Sequence, residues 1–114
     1  MFKLQDEMPT EMRDHVRDGK GSVAFTSVFT KEETFGKCRL MSVCTFEPGT
    51  SIGLHAHGPD AELYFMLEGE MTVIDDGVKK TIHPGDAVFT GQGKSHTALN
   101  ESDKPAKLLA VVIE

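Results

Sequence analysis

Three histidines and one glutamate are the residues of this chain whose types and spacing best suit chemistry. His55 and His57 are separated by a single residue. Because successive side chains of a strand point to opposite faces, both imidazoles project to the same side, about 6 to 7 Å apart along the backbone. Residues 58–60, Gly-Pro-Asp, favour a tight turn. Glu62 opens the next apolar segment, which brings a carboxylate back beside the histidines.

The fourth member of the set lies further along the chain. Between residues 85 and 100, His96 is the residue of a strong metal-ligand type. Three imidazoles and one carboxylate form a mixed nitrogen and oxygen set, which suits Fe, Mn, Ni, Zn, Co or Cu better than calcium or magnesium. We therefore expect one divalent transition metal per chain, with one or two coordination positions left open.

These spacings resemble the two sequence motifs of the cupin family. The first motif is Gly, five residues, His-X-His, three or four residues, Glu, six residues and Gly; it is matched at Gly49, His55, His57, Glu62 and Gly69. The second is Gly, five residues, Pro-X-Gly, two residues, His, three residues and Asn; it is matched at Gly85, Gly93, His96 and Asn100, with Gly91 in place of the proline. That proline shapes a turn and binds no metal, so the change concerns loop rigidity rather than the site.

The resemblance implies an all-β fold, the cupin-type double-stranded β-helix or jelly-roll barrel. We expect a short N-terminal arm over residues 1–21 and the barrel over residues 22–114. The residues themselves also favour many short strands, because turn signals recur every several to ten positions. Asp76-Gly77 between two apolar alternations predicts a tight hairpin. Within the arm, Thr10 is a plausible cap for a short helix that Gly19 ends.

The resemblance also implies a function. Cupins with this ligand set include dioxygenases, oxalate-type decarboxylases, sugar isomerases and lyases, so we expect an enzyme that acts on a small oxygen-bearing metabolite coordinated at the metal. A dioxygenase, hence an oxidoreductase, is favoured. The alternative is a non-catalytic cupin that binds a small ligand, since a reaction inferred from fold alone is analogy.

The candidate catalytic residues are Glu62 and Tyr64. Glu62 can both bind the metal and act as a general base. Tyr64 lies two positions further on the same inward face, where its hydroxyl can reach a substrate, although an inward tyrosine more often packs with its hydroxyl satisfied. Asn100 is expected to orient the His96 loop. His15 and His83 are expected to be solvated surface residues.

Composition excludes several other classes of protein. With 114 residues the chain has the length of one domain, and its net charge of -6, with scattered Lys and Arg, argues against a nucleic-acid partner. The first residues lack the apolar run of a secretory signal, and no apolar run reaches the roughly 20 residues of a membrane helix, so we expect a cytoplasmic protein. Cys38 and Cys44, six residues apart in one predicted strand, lie about 20 Å apart and are expected to be free thiols.

The last apolar segment predicts an assembly. Residues 108–113 have no polar side chain at alternate positions, which indicates a strand covered on both faces. The simplest cover is a partner subunit, and the largely apolar segment 22–29 can join the same interface. We therefore expect a C2 homodimer that binds a small-molecule ligand. The alternative is that the N-terminal arm covers this face within one chain.

Overall fold

The computed structural model describes residues 1–114 as ten strands in two antiparallel sheets. Two single turns of 3-10 helix, Gln5–Glu7 and Val16–Asp18, lie in the N-terminal segment. The strands are β1 Thr10–Asp14, β2 Ser22–Ser27, β3 Cys38–Phe46, β4 Ser51–His57, β5 Ala61–Glu68, β6 Met71–Asp75, β7 Val78–Ile82, β8 Ala87–Thr90, β9 Lys94–Leu99 and β10 Ala106–Ile113. The predicted all-β jelly-roll barrel is confirmed.

The two sheets divide the strands so that the interior lies between them. The larger sheet has the order β1-β2-β3-β10-β5-β8 and the smaller one the order β4-β9-β6-β7. Apolar side chains from both inner faces, among them Phe46 and Met66 of the larger sheet and Met71 and Val73 of the smaller one, form the core. Burial of this apolar surface on one face of each strand holds the sheets together.

Strand β10 shows how the sequence pattern maps onto the two faces of a sheet. It lies between β3 and β5, and residues 107–113 are paired with a neighbouring strand on both sides. Ala106, Leu108, Ala110 and Val112 are buried against the core, whereas Leu109 and Val111 lie on the outer face and are half-buried. The outer face of this strand is thus apolar, as the sequence indicates.

The hairpin between β6 and β7 forms where the sequence predicts it. Asp75 pairs with Val78, and the two residues between them, Asp76 and Gly77, have φ of 50° and 79°. Two successive left-handed residues are what a two-residue hairpin turn requires, because they match the twist of the strands.

The helix predicted from Thr10 to Gly19 is wrong. Residues 10–14 form β1, which pairs with β2 from Thr10 opposite Thr26 to Asp14 opposite Ser22. Cross-strand side-chain contacts support the pairing, with the Thr10 and Thr26 hydroxyls 2.8 Å apart and a hydrogen bond from Ser22 to Asp14. The open edge of β2 offers a full ladder of backbone partners, and such tertiary pairing overrides a weak helix preference. Val16–Asp18 retains only a single 3-10 turn.

The two cysteines are buried, and the two histidines outside the candidate centre are exposed. Cys38 and Cys44 are free and buried, as predicted, and burial raises the pKa of the Cys44 thiol. His15 and His83 are exposed, also as predicted. None of the helical turns has the length and apolar character needed to cross a membrane.

Candidate metal centre

The four predicted ligands come from three strands that lie in both sheets. Strand β4 carries His55 and His57, β9 carries His96, and β5 of the opposite sheet carries Glu62. His55 and His96 are directly opposite each other in the β4–β9 ladder. The structure therefore brings all four residues together in the interior, between the two sheets.

A β-bulge in β4 sets the direction of its two histidines. Ile52 pairs with Ala98 and His55 with His96, so three steps along β4 match two steps along β9. In a regular strand Ile52 and His55 would face opposite sides, because side chains alternate. The extra residue reverses the alternation, and Ile52, His55 and His57 all face the barrel interior. This bulge was not predicted from the sequence.

The donor atoms of the four residues converge on one point. One donor atom from each residue lies within 4.8 Å of all the others. Oε1 of Glu62 lies 2.9 Å from Nε2 of His96, 3.1 Å from Nε2 of His57 and 3.8 Å from Nε2 of His55. Two ligands about 2.1 Å from one ion are about 3 Å apart when they meet at a right angle. The spacing therefore fits a divalent transition metal.

Each imidazole is held through its other ring nitrogen. Nδ1 of His55 donates to the carbonyl oxygen of Gly53 at 2.8 Å, and Nδ1 of His57 donates to Oδ1 of Asp60 at 3.1 Å. Both partners are acceptors only, so both Nδ1 atoms carry the proton. This leaves the Nε2 lone pairs facing the centre, which is the form of histidine that binds a metal.

The third imidazole is held by a two-step chain of hydrogen bonds. The Thr90 hydroxyl donates to Oδ1 of Asp75 at 2.5 Å, so its oxygen accepts the proton of His96 Nδ1 at 2.9 Å. Asp75 is opposite His96 in the β6–β9 ladder, and Thr90 is opposite Glu62 in the β5–β8 ladder. Thr90, Asp75 and Asp60 were missed by sequence reasoning, and only the cross-strand register reveals Thr90 and Asp75 as partners of the site.

The acidic groups of the centre are held ionised. Burial raises the pKa of Glu62, but when the imidazoles are doubly protonated, the hydrogen bonds from His55 and His96 and the charges of His96 and His57 outweigh burial and lower it to about 2. Burial likewise opposes ionisation of Asp60, whereas the hydrogen bonds from His57 and Arg39 hold the pKa of Asp60 below its usual range. The centre thus offers a carboxylate, not a carboxylic acid, to a cation.

Tyr64 packs against the metal-ligand cluster from the inside. Its ring stacks on that of His96 with centroids 4.7 Å apart and an interplanar angle of 5°, and its hydroxyl lies 3.4 Å from His96 Nε2. Burial, and then the charge of Glu62, raise the pKa of Tyr64 well above its usual value. Tyr64 is therefore a neutral phenol whose hydroxyl can donate a hydrogen bond.

Asn100 does not contact His96. Its Nδ2 donates to the carbonyl oxygens of Phe46 and Lys104, and its Oδ1 accepts from Ser102. The residue therefore fixes the loop after β9 to the end of β3. Asn100 thus acts on the loop that follows the His96 strand and makes no hydrogen bond to the His96 ring.

A pocket of about 200 Å³ opens above the centre. His55, His57, Glu62 and Tyr64 form its floor, and Phe25, Leu40, Ile52 and Val112 supply apolar wall. Pockets for drug-sized ligands are larger, roughly 300 to 1,000 Å³. The pocket therefore suits a ligand of a few heavy atoms.

A two-sheet barrel with three histidines and one glutamate converging inside it is the arrangement of the cupin family. The family described as "Cupin domain" matches residues 42–112, and the chain belongs to that family.

Among individual proteins, the chain is 36% identical over 113 residues to the "Oxalate-binding protein" of Thermotoga maritima, covering 99% of this chain and 93% of the relative. Its fold matches the crystal structure of a predicted oxalate decarboxylase from Thermotoga maritima with a TM-score of 0.94 and 35% identity, over 99% of this chain and 98% of that one. It also matches the TT1209 protein of Thermus thermophilus with a TM-score of 0.72 and 32% identity, over 80% and 82% of the two chains.

The hydrogen-bond chain behind His96 can be tested by replacing Thr90 with Val, which has nearly the same shape. We expect Thr90→Val to weaken Mn²⁺ and Zn²⁺ binding by about 10- to 100-fold, because His96 loses the acceptor that fixes its tautomer. Competition with a chromophoric chelator measures the affinity, and circular dichroism checks the fold. Thr81→Val, at an exposed position of β7, is the matched control. Equal affinities of the two variants would contradict the role of Thr90.

Proposed function

We propose that this cupin binds a small dicarboxylate of the oxalate class on a divalent transition metal held by His55, His57, Glu62 and His96. The observation that carries the proposal is the convergence of four donor atoms, one per residue, within 4.8 Å of one another, with His55, His57 and Glu62 also lining a small pocket. When bound, the metal supplies a Lewis acid and a template for the oxygens of the ligand.

The charge and size of the site support this ligand class. Four protein ligands leave one position of a five-coordinate metal, or two positions of a six-coordinate one, for oxygens of the ligand. A cavity of about 200 Å³ has room for a molecule of a few heavy atoms. The relative from Thermotoga maritima, similar over 99% of this chain, carries the name oxalate-binding protein.

Calorimetric titration of the metal-loaded protein with oxalate tests the proposal. We expect Mn²⁺-loaded protein to bind oxalate and the metal-free protein not to bind it. His57→Ala should lose both metal and oxalate while keeping its β-sheet spectrum, because it removes one of the three imidazole donors. His83→Ala, at an exposed position outside the pocket lining, should bind metal and oxalate as the wild type does. Oxalate binding that is equally strong without metal would contradict the proposal.

A second candidate function is decarboxylation of the bound dicarboxylate. In this reaction the carbon–carbon bond breaks, one carbon leaves as CO₂, and its electron pair stays on the other carbon, which takes a proton to give formate. The observation that favours it is the neutral phenol of Tyr64, which lines the pocket with its hydroxyl 3.4 Å from Nε2 of His96. Tyr64 is the proposed donor of that proton.

The catalytic role of Tyr64 can be separated from its packing role by removing only the hydroxyl. We expect Tyr64→Phe to bind oxalate with unchanged affinity and to release CO₂ and formate at least about a hundredfold more slowly than the wild type. Equal rates for the two proteins would rule out Tyr64 as the donor. Oxygen uptake by the Fe(II)-loaded protein is measured in parallel, because O₂ consumed in step with substrate loss would instead support the dioxygenase expected from the sequence.

The outer face of the larger sheet supports the proposal of a homodimer. Leu109 and Val111 of β10 pair with Phe65 and Leu63 of β5, so four apolar side chains form a patch in the middle of this face. Phe65 is 38% exposed. The N-terminal segment extends the sheet at its edge through β1 rather than crossing this face. A second copy related by C2 symmetry covers the patch with the same residues.

A charge at the centre of the patch tests the dimer. We expect Leu109→Lys to give monomers in analytical ultracentrifugation, while the wild type sediments as a dimer, because a buried unpaired charge opposes association. Val78→Lys, at a position of the smaller sheet that is 55% exposed, should leave the dimer intact. A monomeric wild type, or a dimer in both variants, would show that this face is not the interface.

A further inference from the structure

One wall of the metal pocket is formed by a turn from outside the cupin motifs. Residues 15–19, which we call the N-terminal turn, connect β1 to β2 and contribute Val16 and Arg17 to the pocket lining. Hydrogen bonds from Asp18 N to His15 O and from Gly19 N to Val16 O close the turn. The pocket is therefore shaped partly by a segment that the sequence analysis treated as an arm.

The backbone of the N-terminal turn adopts an unusual conformation. His15, Arg17 and Asp18 have φ of 48°, 53° and 63°. This left-handed region is disfavoured for residues with a side chain, and three such residues in four positions persist only when their surroundings hold them. Strain of this kind is concentrated at functional sites.

Two glycines dock the N-terminal turn tightly on β4. A Cβ atom on Gly53 would lie 2.0 Å from the carbonyl oxygen of Arg17, and one on Gly19 would lie 2.1 Å from that of Ser51. Only glycine permits backbones to approach so closely. The carbonyl oxygen of Gly53 also accepts the hydrogen bond from His55 Nδ1. The turn and a metal ligand are thus positioned by the same residue.

Three arginines line the pocket, and they differ in how their charges are paired. Arg39 bonds to Asp60 and lies 3.7 Å from Glu114. The guanidinium of Arg13 lies over the ring of Phe25 and 3.4 Å from Glu11. Arg17 makes no ion pair with any carboxylate, although the chain has 18 acidic residues and a net charge of -6. Arg17 is therefore an exposed residue of the pocket lining whose guanidinium has no ion-pair partner, in an acidic protein.

We propose that Arg17, presented by the N-terminal turn, is a specificity-determining residue that recognises the second negative charge of the ligand. The inference rests on the proposed function, because a short dicarboxylate that binds the metal through one end keeps negative charge toward the pocket mouth. A guanidinium binds a carboxylate through two parallel N–H donors, which gives direction as well as charge. The class of ligand selected is a dianion rather than a monoanion of the same size.

The experiment compares oxalate with oxamate, in which an amide replaces one carboxylate. Calorimetric titrations are made on Mn²⁺-loaded wild type, Arg17→Ala and Arg17→Lys. Lys20→Ala is the matched control, because it removes one positive charge from the same exposed stretch without touching the pocket lining. Metal content and chelator competition are measured separately for each protein.

We expect Arg17→Ala to bind oxalate about 10- to 100-fold more weakly, to bind oxamate nearly as the wild type does, and to keep its full metal content. The oxalate affinity of Arg17→Lys should lie between those of the wild type and Arg17→Ala, because lysine keeps the charge and loses the paired donors. Lys20→Ala should keep the wild-type preference for oxalate.

Different results would overturn different conclusions. If metal-loaded wild type fails to bind oxalate, the proposed function fails and this inference falls with it. If the wild type binds oxalate and Arg17→Ala matches Lys20→Ala, the proposed function stands and Arg17 is not the selective residue. Equal weakening of oxalate and oxamate, or a loss of metal in Arg17→Ala, would show that the turn only supports the fold around Gly53 and His55.

Discussion

The contact of the buried Glu62 carboxylate with three imidazoles is the interaction on which the arrangement of the barrel interior depends. It is 5% exposed and is surrounded by three imidazoles from the opposite sheet. An ionised carboxylate removed from water is costly unless it is paired, so a positive charge, either a proton on an imidazole or a metal cation, must lie between it and the three nitrogens whenever the two sheets are closed. The bulge in β4 turns His55 and His57 toward Glu62, and the pairing of His55 with His96 places the third imidazole beside them. The register of three strands is therefore coupled to one charge.

The candidate metal centre also depends on residues beyond the four donor residues, in parts of the chain that carry no motif. Asp75, Thr90 and Asp60 fix the rings of two histidines, and the carbonyl of Gly53 fixes the third. Because Gly53 has no side chain, the N-terminal turn can pack closely against β4 and complete the pocket wall. Rigid placement of this kind lowers the freedom that metal and ligand binding must remove. The pocket is therefore a product of the whole chain, from β1 to β10.

How much could be predicted from the sequence depends on how far apart along the chain the interacting residues lie. The spacing of His55 and His57 and the hairpin at Asp76-Gly77 depend on neighbours along the chain, and local rules were enough to predict them. The strand at Thr10–Asp14 depends on an open edge of β2, which no local pattern contains. The contact of Thr90 with His96 depends on which strands are adjacent in each sheet. Close approach at Gly53 likewise needs both segments in place, so the turn that carries Arg17 was not recognised as part of the site.

The hydrogen bonds of the centre lead to one further consequence for its occupancy. His55 and His57 donate through Nδ1 to acceptor-only partners, and His96 donates to a hydroxyl already committed to Asp75. In the neutral state each ring has one proton, so every Nε2 facing Glu62 then carries a lone pair. The Nε2 atoms of His55 and His96 are 3.1 Å apart, and Oε1 of Glu62 is 2.9 Å from the latter. Acceptors at these distances repel one another unless a positive charge lies among them. That charge is either an added proton on a ring or a metal cation, and the cation satisfies all four acceptors at once. Metal binding and protonation therefore compete for the same lone pairs. The arrangement favours a cation that contacts all four acceptor atoms at once.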